Sequence, residues 1–169
     1  MQAGPVPPDP PCTPPLAAVT AVVRALQAHG AVAAVGGSGL LAALGLAGHV
    51  RDWDVTTDAP TAVVLAALRS TQLAFVPAAT GHGLYATQAR FVVLGNEHEV
   101  DVLVGFAVRL GDRVVPLPTR VTRHWRGLPI ADPAVWLRAY QLIGREESAA
   151  RLQAWVRQHD QPQESELLD

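Results

Sequence analysis

The sequence predicts an α/β chain of the α+β kind: a mixed, largely antiparallel sheet flanked by helices, with a helical hairpin at its C-terminal end. Three observations predict it. An apolar strand, a glycine turn, a short helix and a second strand follow one another over residues 32–58. The later apolar runs, 84–87, 90–94 and 99–104, come as hairpin-like neighbours without the alternating helices of a doubly wound sheet. Two helical stripes close the chain, separated by Gly144.

Each element has its own justification. Residues 1–15 are dominated by proline and read as an extended or disordered leader. Leu16, Val19, Val22, Val23 and Leu26 then form the apolar stripe of a helix from about Pro15 to His29, and Gly30 stops it. Val32 to Val35 is small and apolar, as in a buried strand. Gly36-Gly37-Ser38-Gly39 turns the chain, and Leu40 to Ala47 carries enough leucine for a short buried helix. Arg51 to Thr56 alternates, with Asp52 and Asp54 on one face and Trp53 and Val55 on the other. Asp58-Ala59-Pro60 reads as an N-cap with proline in the first turn of a helix to about Arg69.

Leu73 to Val76, Leu84 to Thr87, Arg90 to Leu94 and Glu99 to Val104 follow as strands, with a loop at 80–83 and a turn at 95–98. Residues 105–125 suggest a hairpin about Gly111-Asp112, then an arginine-rich loop. Asp132-Pro133 starts a helix that ends at Gly144, and a second runs from Glu146 to His159. The organisation is therefore a leader (1–15), one domain (16–159, with the helical hairpin at 131–159) and a polar tail (160–169).

Composition narrows the function. The 169 residues can bury a real core, built mostly from Ala, Val and Leu because only 5% are aromatic. A net charge of −2 argues against an extended nucleic-acid-binding surface. All 13 basic residues are arginines, so a P-loop, which needs lysine, is excluded. Cys12 is the lone cysteine and forms no internal disulfide, which makes a reducing cytoplasm the expected location. No signal-like segment and no long uncharged apolar run indicates a membrane.

The chemistry concentrates in the aspartates. Carboxylates two apart on a strand stand roughly 6–7 Å apart at their Cα atoms. Asp52 and Asp54 have no basic residue between them and suit oxygen ligation of divalent cations. Asp101 interrupts an otherwise apolar strand, VDVLV, and a carboxylate there requires a compensating cation or arginine, a metal being the economical choice. A rival reading exists: Gly37-x-Gly39-x-x-Ala42 matches a dinucleotide fingerprint, with Asp54 or Asp58 as its acidic residue.

In this order the motifs resemble the nucleotidyltransferase superfamily, which includes DNA polymerase β and the aminoglycoside and lincosamide nucleotidyltransferases. The shared pattern is an apolar residue, Gly, then Gly or Ser, a spacer, and Asp-x-Asp. Here it reads Val35-Gly36-Gly37-Ser38, then Asp52-Trp53-Asp54, with Asp101 on a later strand. The chain most resembles the small stand-alone prokaryotic members, through DWDVTTD, HEVDVLV and WLRAYQLIGREESAARLQAWV. Many of these carry Gly-Arg-x-Lys-Asp near the close, where this chain has Gly144-Arg145-Glu146-Glu147.

The resemblance implies metal-dependent transfer of a nucleoside monophosphate from a nucleoside triphosphate to an acceptor hydroxyl, with release of pyrophosphate. Asp52, Asp54 and Asp101 would hold Mg²⁺ (or Mn²⁺). Gly36, Gly37 and Ser38 would hold the nucleotide phosphates. The acceptor is open: small molecule, protein or RNA. The alternative is a catalytically silent binding or regulatory module of this fold, of toxin–antitoxin type. Further expectations are that Arg51 ion-pairs with Asp52, that Asp58 caps a helix, that His82 belongs to a surface loop, and that Arg120, Arg123, His124 and Arg126 form a solvated basic stretch.

Overall fold

The computed structural model describes residues 6, 8–81 and 83–159. The first part of the leader (1–5 and 7), His82 and the polar tail (160–169) lie outside the described residues. The chain runs α1 (Ala17–Ala28), β1 (Ala34–Gly36), α2 (Gly37–Ala43), β2 (Trp53–Thr57), α3 (Thr61–Ser70), β3 (Phe75–Pro77), β4 (Ala89–Leu94) and β5 (Glu99–Val104). It continues through β6 (Ala107–Leu110), β7 (Arg113–Pro116), β8 (Val121–Trp125), β9 (Leu128–Ala131), α4 (Pro133–Ile143) and α5 (Glu146–His159).

Seven strands form one mixed sheet in the order β3-β4-β5-β2-β1-β9-β8; β6 and β7 form a separate hairpin. Neighbours are antiparallel except for two parallel pairs, β2 with β5 and β1 with β9. β2 and β5 are adjacent although far apart in sequence, which sets Asp54 directly opposite Asp101. Helix α1 buries Val19, Val22 and Leu26 completely, and the sheet contributes Val35, Trp53, Val55, Val100, Val102 and Ile130 to the same core. At about 25 cal/mol per Å² of apolar surface, each such side chain stabilises the fold by roughly 1.5–3 kcal/mol.

The antiparallel pairing of β1 with β2 removes the dinucleotide reading. That fingerprint requires parallel strands joined by a crossover helix, whereas α2 connects two antiparallel neighbours. Glycines serve packing here. A Cβ on Gly39 would stand 2.7 Å from Val35 Cγ1 and 3.1 Å from the Trp53 ring, so only a bare backbone lets α2 lie this close to β1 and β2. α2 also starts at Gly37, three residues before the leucine run that predicted it.

Several local expectations are corrected. Asp58 does not cap α3, whose N-cap is Pro60 without a side-chain bond. Its Oδ2 instead accepts from Thr119 N at 2.8 Å and ties the end of β2 to a distant loop. Leu84 to Thr87 is not a strand but forms a single bridge, Tyr85 to Val108. The arginine-rich loop is in fact edge strand β8, paired with the buried β9. Cys12, counted with the leader, pairs with the body: its N donates to Gly48 O at 2.9 Å and Val50 N donates to its carbonyl at 2.8 Å. The C-terminal hairpin forms as expected. Asp132 Oδ1 accepts from Ala134 N at 2.9 Å, and Gly144 ends α4 at φ 76°.

Candidate active site

The site begins with strand register. Asp54 on β2 and Asp101 on β5 are ladder partners, so both carboxylates rise on the same face. On the next strand Val92 faces Asp101, and Arg90, two residues earlier, shares that face. Three strands therefore place two carboxylates and one guanidinium together. Arg90 Nε donates to both oxygens of Asp101, at 2.8 and 3.0 Å. The compensating group that a carboxylate in an apolar strand demands is, in this structure, an arginine.

Asp54 is different. It accepts no hydrogen bond among the described residues, and its carboxyl is pushed up to about 7. Burial is the first cause, followed by the charges of Asp101 and Asp52; Arg90 and Arg145 pull the other way. Its carboxylate lies against Gly37. A Cβ on Gly37 would run into Asp54 Oδ2, and the φ of +57° there also favours glycine. Gly36 answers to another neighbour, because its Cβ would run into the Trp136 indole.

Asp54, Asp101, Gly37 and Ser38 line one cavity of about 520 Å³. Helices α4 and α5 supply its opposite wall. Trp136 packs on Phe106 with ring centroids 5.3 Å apart and on Tyr140 at 5.7 Å. Burial, and after it the Asp54 charge, raise the Tyr140 phenol above its usual range. Arg145, Ser148, Thr80, Tyr85, Thr87 and Arg90 also line the cavity.

The predicted residues are thus only partly united. Gly37, Ser38, Asp54 and Asp101 line the cavity, whereas Gly36 packs against Trp136. Asp52 lies outside the lining, where its Oδ1 accepts from Glu99 N at 2.9 Å and fastens the start of β5. Among the described residues no group of three His, Cys, Asp or Glu is placed to hold a metal ion. The donor chemistry at Asp54 nevertheless fits a hard cation: two facing carboxylates, one of them half-buried and without a hydrogen-bond donor among the described residues.

Arg51 makes no ion pair with Asp52, since the salt bridges among the described residues are Arg90–Asp101 and Arg151–Glu147. The basic stretch is exposed, and two of its four residues lie over aromatic faces. Arg123 lies 4.5 Å from the Trp155 ring centroid and Arg126 4.4 Å from that of Trp125. Sequence reasoning missed Arg90, Trp136, Tyr140 and Ser148. The signal for Arg90 was present: it opens a strand that must pair with the Asp101 strand.

No helix among the described residues is long and apolar enough to cross a membrane. No protein-family model matches the chain, and no curated protein sequence matches it significantly. Solved structures do. ANT(2″)-Ia, in complex with adenylyl-2″-tobramycin, aligns at a TM-score of 0.46 and 12% identity, over 85% of this chain and 98% of its own. TM1012 of Thermotoga maritima, a candidate nucleotidyltransferase, aligns at a TM-score of 0.61 and 20% identity, over 85% of this chain and 92% of its own. With its strand order, glycine turn and facing aspartates, this chain has a nucleotidyltransferase-like fold.

Proposed function

We propose that this protein is a metal-dependent nucleotidyltransferase, moving a nucleoside monophosphate from a nucleoside triphosphate to an acceptor hydroxyl. The observation that carries the reading is the Asp54–Asp101 pair, in register on adjacent strands at the floor of a cavity beside Gly37 and Ser38. Asp54 and Asp101 would hold Mg²⁺ or Mn²⁺, with Asp52 contributing charge from beside them. Bound there, the ion would neutralise triphosphate oxygens and polarise the reacting phosphoryl group.

The chain's own residues do the rest. Ser38 offers a hydroxyl to the phosphates. With no lysine in the chain, Arg90 and Arg145 are the cavity's cationic side chains among the described residues. Trp136 and Tyr140, their rings tilted 57° to each other, give an apolar wall for a base or an acceptor ring. The acceptor oxygen bonds to the α-phosphorus, the α–β phosphoanhydride bond breaks, pyrophosphate leaves, and the hydroxyl proton passes to a carboxylate of the pair. Positioning and electrostatics account for the rate.

A second reading, a catalytically silent module of this fold, is favoured by one observation: Arg90 already holds both oxygens of Asp101. One experiment separates the two. Purified protein is incubated with each labelled triphosphate, Mg²⁺ or Mn²⁺, and extract pools of protein, RNA and small molecules. The enzyme reading expects label transfer that falls by orders of magnitude in Asp101→Asn. Failure to label any pool, with triphosphate affinity unchanged or raised in that variant, makes the silent module the better reading.

A further inference from the structure

Arg90 is oriented by its strand. Its position two residues before Val92, the partner of Asp101, keeps the guanidinium on the carboxylate face without any backbone adjustment. Its Nε spends one N–H on both oxygens of Asp101, at 2.8 and 3.0 Å. Its two terminal nitrogens make no hydrogen bond among the described residues, and the residue lines the cavity. The side chains of Arg90 and Asp101 are 39% and 20% exposed, so the pair is not sealed and the guanidinium has room to leave.

Asp54 offers the contrast. It has the same register and the same face, yet accepts no hydrogen bond among the described residues. One carboxylate of the pair is open and the other is taken.

We propose that Arg90 is a resident counter-cation that competes with a divalent metal ion for Asp101. The inference rests on the metal-site reading above. Both oxygens of Asp101 face the same guanidinium, so an ion drawing on them displaces the Nε bond. A triphosphate supplies the displaced guanidinium with new oxygen acceptors, in the planar geometry that arginine suits. Arg90 then trades a carboxylate for a phosphate. Metal alone binds against this competitor; metal with triphosphate does not. By linkage each tightens the other. The site takes free divalent cations weakly and the metal–nucleotide complex tightly.

The test measures binding, not turnover. Mn²⁺ is titrated calorimetrically into the wild type, Arg90→Gln and Arg145→Gln, in the absence of nucleotide. A partly exposed ion pair is worth about 1 kcal/mol, so Arg90→Gln is expected to bind Mn²⁺ about three- to ten-fold tighter than the wild type. Arg145→Gln removes a cavity charge that does not touch Asp101, and it is expected to tighten binding less. Equal affinity in the wild type and Arg90→Gln, or equal gains in the two variants, overturns the competition and leaves the metal site standing. Absence of Mn²⁺ binding in every form overturns both. A second measurement needs no variant: in ¹⁵N-labelled wild type, the Arg90 Nε–H resonance should shift in step with Mg²⁺ saturation. A resonance that stays fixed while Mg²⁺ saturates the protein overturns the proposal.

Discussion

The floor and the wall of the cavity are held by different physics. The floor stands on strand register: β2 and β5 pair residue by residue from Trp53–Val100 to Thr57–Val104, and every backbone bond reinforces the position of Asp54. The wall stands on side-chain contact. Trp136, Tyr140 and Phe106 hold one another through ring faces, and the wall meets the floor where Trp136 presses on Gly36. Backbone pairing places charge at a fixed point even where burial makes that charge unfavourable. Side-chain packing places shape, and shape depends on every neighbour keeping its volume.

The largest expected stability effect breaks the wall. Trp136 is only 6% exposed and touches Phe106, Tyr140 and the glycine turn. Trp136→Ala removes the ring and leaves a cavity that β1 cannot fill, at an expected cost of about 3–5 kcal/mol in urea unfolding. A loss under about 1 kcal/mol would mean that Tyr140 and Phe106 hold the wall without it.

The next effect has the opposite sign and tests the floor. The Asp54 carboxyl rises from 3.8 to about 7 on folding, so the native state holds its proton more tightly than the unfolded chain does. Its stabilising contribution is full below about pH 4 and is lost as pH rises through about 7. In metal-free protein, Asp54→Asn should therefore be nearly neutral at pH 4 and more stable than the wild type at pH 8, by about 2–4 kcal/mol. Thermal melts in EDTA across that range check it. A variant less stable at pH 8 would mean that Asp54 is paired in solution.

The same contrast explains how much could be read from the sequence. The floor was legible because period-two alternation marks which face each aspartate takes, and VDVLV announces a carboxylate in an apolar strand. The partner of Asp101 was legible only in part: the turn at 95–98 pairs the Arg90–Leu94 run with the Asp101 strand, but does not give the register that brings the Arg90 side chain onto Asp101. The glycine turn was legible as a turn, but not that Gly36, Gly37 and Gly39 answer to Trp136, Asp54 and Trp53 in turn. β9 hid behind Pro129, which reads as a strand breaker, although this strand is short and fully buried between β1 and β8. Asp52 falls just before β2, outside the alternation expected of it, and its oxygen is claimed by the Glu99 backbone N–H, a partner 47 residues away.

A third prediction acts where floor meets wall. Gly37→Ala puts a methyl group against the Asp54 carboxylate at a positive φ, so it carries both a backbone and an overpacking cost. Together these should destabilise by about 2–3 kcal/mol. Gly36→Ala has an extended φ of −115° but drives its methyl group into the buried, rigid Trp136 indole, where Gly37→Ala meets the end of a carboxylate side chain that can turn aside, so it should cost at least as much. The same urea titrations rank them, and a clearly smaller loss for Gly36→Ala would show that the positive φ and the Asp54 carboxylate, not the wall, set the tightness of the turn.

The smallest effect isolates what a salt bridge is worth away from the cavity. Arg151 and Glu147 lie one turn apart on α5 with side chains 53% and 81% exposed, and Arg151 Nη1 also donates to Leu46 O at 3.3 Å. Solvent screens the charges, and holding two long side chains costs rotamer entropy, so Glu147→Gln should change stability by no more than about 0.5 kcal/mol. What little there is should vanish in 1 M salt, where the screening length falls to about 3 Å. Asp101→Asn breaks the other pair under the same conditions. That pair is held by two short contacts on a half-buried strand face, and its loss should persist in salt at about 1 kcal/mol. Equal, salt-sensitive losses in the two variants would place the Arg90–Asp101 contact among ordinary surface pairs and weaken its claim to guard the floor.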